Sequence, residues 1–270
     1  MEMERAAPHI TVQDLTVAYG NNVILHDLNF AIYRGDIFII MGRSGGGKST
    51  VLRSMVGLLR PAKGQILYDG RSFWSVEPAE QKEIMKKFGV LYQSGALWSS
   101  LTLAENVALP LHQYTDMSPV QIHEIVSLKL SLVGLSGFED YYPSEISGGM
   151  KKRAGLARAM ALDPEILFFD EPSAGLDPVS AHLLDELIFE LRNSLGATIV
   201  VVTHELSSIF AIGNNSVLLD TDTKTMIAAG DPRKLLEESK DPKVINFLTR
   251  GEGEAEKTTR WKSMKEGRQR

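Results

Sequence analysis

Residues 42–49, Gly42-Arg43-Ser44-Gly45-Gly46-Gly47-Lys48-Ser49, fit the spacing G-x-x-x-x-G-K-S/T. No other segment constrains the fold as tightly, because the pattern works only as a strand, a tight loop and a helix in succession. The context agrees. Asp36–Met41 (DIFIIM) is a short apolar strand, and KSTVLRSMVGLL, from Lys48 onward, has helical character. Glycines let such a loop curl until several N–H groups face one phosphate. The helix behind adds the positive end of its dipole. Lys48 then offers a point charge to β- and γ-phosphates, Ser49 a hydroxyl to Mg²⁺, and Thr50 a further phosphate contact. The implied fold class is α/β.

The rest of the chain fits that frame. Residues 9–33 read as two strand segments split at Gly20-Asn21-Asn22, a hairpin signal. Gly64–Gly70 is a further strand, residues 78–88 are helical, and GVLYQ is a strand ending at Gln93. From Ser94 to about Asp163 strand character disappears, and helical periodicity in LAENVALPL and SPVQIHEIVSLKLSLVGL predicts an inserted helical lobe. Glu165–Asp170 restores a buried strand. An amphipathic helix follows, with Pro178 in its first turn and Gly196 at its end. ATIVVVTH is the next strand, SVLLDTDTKTMIAAG a hairpin, and DPRKLLEES and DPKVINFLTR short helices. The expected organisation is one domain over 1–250, with the lobe at 94–163 and a charged, flexible tail at 251–270.

Composition narrows the partners. A net charge of −5 argues against nucleic acid. There is no cysteine, hence no disulfide. MEMERAAPHI lacks the apolar core of a secretory signal. Apolar runs such as Ile37–Met41 and Ile199–Val202 have strand length, short of the roughly 18–20 residues of a membrane span. A membrane role would need a separate membrane-embedded partner.

Two further elements carry chemistry. ILFFDE is an apolar strand ending in Asp170-Glu171. Asp170 is placed to organise Mg²⁺ and Glu171 to polarise an attacking water as general base. A pair of acids at a strand end can equally be surface or capping residues. Ser147-Gly148-Gly149-Met150 opens the stretch KKRAGLARAMAL. Ser147 is a good helix N-cap, and the two glycines expose N–H groups that could receive an anion.

Taken together these residues resemble the nucleotide-binding domain of ABC transporters over about residues 9–249, SGGM standing where that family has the signature LSGGQ. The resemblance implies an ATP-binding, Mg²⁺-dependent ATPase core: a mixed sheet with flanking helices, an antiparallel β subdomain and an inserted helical subdomain. It implies a homodimer, since the signature of one subunit closes on ATP held by the other, and an integral membrane permease driven by the pair. Tyr19 matches the aromatic that stacks on adenine, though an ordinary strand tyrosine would look the same. Gln93 matches the glutamine that reaches Mg²⁺ and water. Asp177 matches the aspartate that crosses the interface, and it also suits an N-cap before Pro178. His204 matches the γ-phosphate histidine; a lone histidine at a strand end is otherwise structural.

Met150, and the stretch SGALWSSLTLAENVALPL after Gln93, resemble the ATPase of Mla-type systems, which serve MCE proteins and move phospholipid between inner and outer membranes. That implies an MCE-domain lipid-binding protein and a small accessory subunit as partners, at the cytoplasmic face of the inner membrane. An importer ATPase for a small polar solute would carry the same core motifs. A soluble ABC ATPase acting on DNA or ribosomes is disfavoured by the single domain and the charge. Leu97, Trp98 and Leu101 either form a groove for a permease helix or pack as the core of the lobe. Arg260, Lys262, Lys265, Arg268 and Arg270, around Trp261, offer the tail a basic character.

Overall fold

A computed structural model describes residues 7–251; the basic tail around Trp261 lies outside the described residues. A long hairpin opens the chain, β1 (Ile10–Tyr19) and β2 (Asn22–Ile32). Then come β3 (Ile37–Gly42), α1 (Lys48–Met55), β4 (Lys63–Tyr68), β5 (Arg71–Ser72), α2 (Pro78–Lys86) and β6 (Phe88–Leu91). Helices α3 (Leu103–Tyr114), α4 (Pro119–Leu132) and α5 (Gly148–Ala159) follow, with a 3-10 turn at Pro143–Glu145. The chain continues through β7 (Ile166–Asp170), α6 (Pro178–Leu195), β8 (Thr198–Thr203), α7 (Leu206–Ile212), β9 (Asn215–Asp220), β10 (Thr225–Ala229), α8 (Pro232–Glu238) and α9 (Pro242–Leu248). No helix among the described residues is long and apolar enough to cross a membrane.

Two sheets result. The antiparallel one runs β2-β1-β4-β5, and the six-stranded one runs β10-β9-β3-β8-β7-β6. In the second sheet only β10 is antiparallel to its neighbour. The central strands read as unbroken apolar runs because both faces are covered. Phe38 and Ile40, Ile166 and Phe168, and Val200 and Val202 face a core shared with α1 and the antiparallel sheet. Ile37, Ile39 and Met41, Leu167 and Phe169, and Ile199 and Val201 face a second core under the helices. Each such fully buried side chain contributes about 1.5–3 kcal/mol. The alternation orients every parallel strand so that its C-terminal end delivers the next residues to one edge.

Several boundaries differ from the expectation. α1 stops at Met55, not Leu59, because Gly57 takes φ +85° and turns the chain. β6 stops at Leu91; it is an edge strand paired only with β7, and Gln93 lies in the turn closed by the Gly95 amide donating to the Tyr92 carbonyl. α7 and β5 have no counterpart in the sequence reading. Between β6 and β7 the regular elements are all helical, and Asn106, fully buried on α3, ties down the segment before it. Its amide accepts from Trp98 N–H at 2.7 Å and donates to the carbonyls of Trp98, Leu101 and Thr102.

α6 and α7 are joined by an acid in an apolar setting. Asp185 is 4% exposed; its Oδ2 accepts from the Ser208 hydroxyl at 2.8 Å, and Oδ1 has no partner among the described residues. Burial pushes its carboxyl up to about 6, against the opposing Ser208 bond and the His182 charge. The folded state therefore holds the proton more tightly than the unfolded chain. The stability this confers is complete below the ordinary pKa of 3.8 and is lost as pH rises through about 6. Asp185→Asn should flatten that slope and raise stability at pH 7.5 by roughly 1–3 kcal/mol. Urea unfolding at pH 5 and pH 7.5 checks this.

Candidate functional site

The Gly-rich loop joins β3 to α1 at the C-terminal edge of the six-stranded sheet, where open α/β sheets hold their ligands. Gly47, the N-cap of α1, sits at φ +81°, and a Cβ there would lie 2.8 Å from side-chain atoms of Ile24 and Leu25. Only glycine fits both the conformation and the space. Arg43, Ser44 and Gly45 are exposed, whereas Lys48 is 5% exposed. Its ammonium donates to the carbonyls of Gly42 at 3.1 Å and Arg43 at 3.2 Å, and pairs with the Glu171 carboxylate at 3.4 Å. Thr50, partly buried, uses its N–H within the turn to the Gly47 carbonyl.

Strands β7 and β8 end beside this loop. Ser49 donates its hydroxyl to Asp170 Oδ1 at 2.7 Å. Burial pushes the Asp170 carboxyl up, and the Ser49 bond and the Arg53 and Lys48 charges work against it. Glu171, 8% exposed, adopts φ +48°, rare for a residue with a side chain. Its N–H donates to the Val202 carbonyl at 2.8 Å, which continues the β7–β8 pairing by one residue. Its two oxygens lie 2.9 and 3.0 Å from His204 Nδ1. With Glu171 ionised, that nitrogen carries the proton. Lys48, Ser49, Asp170, Glu171 and His204 thus form one constellation of partly exchangeable polar contacts.

The remaining expected residues stand around it. Tyr19 ends β1 with 45% of its surface exposed, and its hydroxyl accepts from Arg53 of α1 at 3.0 Å. Gln93 is exposed in the turn after β6. Ser147 caps α5, accepting from the Met150 N–H at 3.3 Å, and Gly148 is exposed. Asp177 caps α6, accepting from the N–H groups of Val179 and Ser180 and from the Ser180 hydroxyl at 2.6 Å; the Ser180 hydroxyl and backbone bonds hold its carboxyl below the usual range. A Cβ at Gly149 would lie 3.8 Å from Ser180, so the starts of α5 and α6 adjoin. Among the described residues no hydrogen bond or ion pair joins residues 147–149 to the loop at 42–50. Met150 packs its side chain against the helical core, where a glutamine amide would lose solvation.

Three supports went unread in the sequence. Lys152 and Arg158 look like members of a solvated basic helix, yet Lys152 is 6% exposed. Arg158 donates to the carbonyls of Ala96 at 2.7 Å and Gly95 at 3.0 Å, which holds the segment after Gln93 against α5. Gly155 permits that approach, since a Cβ there would lie 2.9 Å from the Gly95 oxygen. The pattern of small residues on α5 was the available signal.

A groove of about 590 Å³ runs between the sheet and the helical lobe, with Leu58, Met85, Tyr92, Pro110, Tyr114 and Arg158 in its walls. Leu97, Trp98 and Leu101 do not line it. Leu97 packs against the helical core, Leu101 is half-buried, and Trp98 stands 64% exposed elsewhere. Of the two alternatives for these residues, Leu97 takes the core one, and Asn106 holds the 98–102 segment onto α3.

A family model described as ABC transporter matches residues 25–174. The chain is 40% identical over 253 residues to the intermembrane phospholipid transport system ATP-binding protein MlaF of Haemophilus influenzae, covering 94% of each chain. Identity to MlaF of Escherichia coli K12 is 38% over 247 residues, 91% of each. It is 43% over 239 residues to the probable ribonucleotide transport ATP-binding protein mkl of Mycobacterium tuberculosis, 88% of this chain and 66% of that one. The chain thus spans about two thirds of the length of those mycobacterial relatives. Among solved structures, a bacterial ABC transporter cassette determined as a dimer superposes with a TM-score of 0.75 at 29% identity, over 82% of this chain and 98% of that one. The cbiO1 protein of Clostridium perfringens, part of the ABC transporter complex cbiONQ, gives 0.77 at 26%, over 90% and 96%.

Proposed function

The chain belongs to the ABC transporter family, and on that premise we propose that it is the ATP-hydrolysing subunit of a membrane transporter, acting as a homodimer that drives a separate permease. The observation that carries the reading is the meeting of Lys48, Glu171 and His204, with Ser49 and Asp170 beside them, at one sheet edge. In this reading the N–H groups of residues 43–50 and the Lys48 ammonium receive the β- and γ-phosphates, in exchange for the loop carbonyls that Lys48 now bonds. Tyr19 supplies a half-exposed ring for adenine. The Ser49 hydroxyl and Asp170 carboxylate, 2.7 Å apart, with the Gln93 amide nearby in sequence to β6, are the hard oxygen donors that Mg²⁺ prefers. Bound there, Mg²⁺ would neutralise charge developing on the phosphate oxygens.

Glu171 then takes a proton from the water that attacks the γ-phosphorus as the bond to the β-phosphate oxygen breaks. His204 orients that carboxylate through its Nδ1 proton and can turn its other nitrogen to the γ-phosphate. The N–H groups at the start of α5, by Ser147, Gly148 and Gly149, make no hydrogen bond to this subunit's own loop among the described residues; in this reading they serve the nucleotide of a second copy. Asp177, exposed next to them, faces the same interface. The relative determined as a dimer supports that arrangement.

In this reading the permease docks at the groove beside Tyr92. Its apolar wall, with Leu58 60% and Met85 42% exposed, suits a short amphipathic helix, and Tyr92 connects it directly to Gln93. Phospholipid is the favoured cargo, because the MlaF relatives match over nearly their whole length and the mkl proteins over two thirds. The resemblance of SGGM and the SGAL stretch to Mla-type ATPases extends the proposal to an MCE-domain protein and a small accessory subunit as further partners, and to a peripheral place on the cytoplasmic face of the inner membrane. The 43% identity to mkl keeps a ribonucleotide, a small polar solute, as the second reading.

Glu171→Gln should keep ATP affinity and ATP-dependent dimerisation while lowering kcat at least about 100-fold; near-normal turnover would refute the assignment of the base. Leu58→Glu should leave the ATPase of the isolated subunit unchanged and abolish copurification of a multispan membrane protein. In proteoliposomes holding the complete complex, phospholipid acceptor vesicles should stimulate ATPase at least twofold and added ribonucleotide should not. The reverse would transfer the cargo to the second reading.

A further inference from the structure

The Lys152 ammonium is nine-tenths buried and has no salt bridge among the described residues. It lies 2.6 Å from the Pro172 carbonyl oxygen, 2.5 Å from that of Ala174 and 3.5 Å from that of Glu171. An ammonium has three N–H donors, and here three carbonyls of a single turn converge on it. The side chain of Glu171 is already engaged by Lys48 and His204. Burial pulls the Lys152 pKa down, opposed by the charge of Glu171. Enclosing a lone cation costs desolvation, which the converging carbonyls offset; an apolar side chain of equal length would remove that cost but leave those carbonyls without this donor. What the cation supplies is geometry.

The turn it grips needs holding. Glu171 is at φ +48°, a conformation that costs about 1–3 kcal/mol without outside support. The Ala174 amide donates back to the Glu171 carbonyl and the Leu176 amide to that of Ser173, so the segment from Glu171 to Leu176 is tied by two successive turns. Lys152 itself sits on α5, five residues after the cap Ser147. The same helix holds the Gln93 segment through Arg158.

We infer that Lys152 is a positioning residue: it locks the Glu171–Ala174 turn to the helix that opens with Ser147-Gly148-Gly149, so that the general base is aligned only when that helix is seated. The inference rests on the ATPase reading. It means that closure of one subunit's signature helix on its partner's nucleotide also sets the base in the subunit that owns the helix, linking the two sites of the dimer through the backbone.

The test compares full-length wild type with Lys152→Met, which keeps chain length and removes the donors, and with Lys152→Arg, which restores donors. Lys152→Met should lower kcat 10- to 100-fold with ATP affinity changed less than threefold, and Lys152→Arg should recover at least a third of the wild-type kcat. In a Glu171→Gln background, Lys152→Met should lower the residual rate less than threefold, because the base it positions is already gone. Wild-type kcat in Lys152→Met, or an equal loss in both backgrounds, would overturn the inference. If Lys152→Met does not fold, Lys152→Gln, with fewer donors, should give an intermediate kcat; a wild-type value would count against the inference. A wild-type protein that hydrolyses no ATP would instead overturn the ATPase reading.

Discussion

A cation as enclosed as the Lys48 ammonium has to be neutralised where it stands, and the surrounding structure follows from that need. The Gly-rich loop must curl tightly enough to bring the Gly42 and Arg43 carbonyls to it, which only a glycine at position 47 allows against Ile24 and Leu25. β7 must end at the right height to bring Glu171 within 3.4 Å, and β8 must extend as far to bring His204 to Glu171. The sheet order β3-β8-β7 puts these three strand ends side by side. An apolar replacement of the pair would pack with no desolvation cost. The polar contacts are ones that can exchange: a phosphate oxygen can replace the oxygens that Lys48 now meets, and a divalent cation can be shared by the oxygens of Ser49 and Asp170.

The parts of this arrangement that were readable in the sequence are those set by local rules. The strand–loop–helix order around residues 42–49 follows from glycine, lysine and hydroxyl spacing. The apolar runs at Ile37–Met41, Ile166–Phe169 and Ile199–Val202 announce strands covered on both faces. Pro178 after Asp177 and Gly196 at its far end bound α6, and the caps at Ser147 and Asp177 form. Ser147 and Asp177 are therefore structural caps whatever else they do, since one carboxylate or hydroxyl can satisfy helix N–H groups and still face outward.

What was not readable depends on distant partners. α7 is only seven residues long, two of them serines, with no side-chain cap at Glu205, so nothing local separates it from a loop; its place is set by burial of Leu206, Ile209 and Phe210 against the core. Asn106 looks like one polar residue in a helical pattern until four hydrogen bonds to residues 98–102 show why Leu97 turns inward and Trp98 outward. Lys152 sits in Lys151-Lys152-Arg153, which reads as a charged face. Its burial is decided by a turn twenty residues away in sequence. Periodicity predicts which side of a helix is apolar, and it cannot indicate that a cation on that side will meet converging carbonyls.

Helix α5 is where these long-range contacts meet. Its first turn offers N–H groups outward, Lys152 grips the turn after β7, Gly155 lets the segment after β6 approach, and Arg158 both holds that segment and walls the groove. A helix is stiff over this length, so the contacts at Lys152, Gly155 and Arg158 cannot shift independently of one another or of the first turn. Tight carbonyl clamps at two points make the helix behave as one body with the turns that carry Gln93 and Glu171. Any displacement imposed at the groove must then reach the outward N–H groups and the buried carboxylate together, whereas a helix held only by apolar side chains could slide past either turn. The small residues Ala154, Gly155, Ala157 and Ala159 bring the backbones close, and the two cations fix the register of that contact.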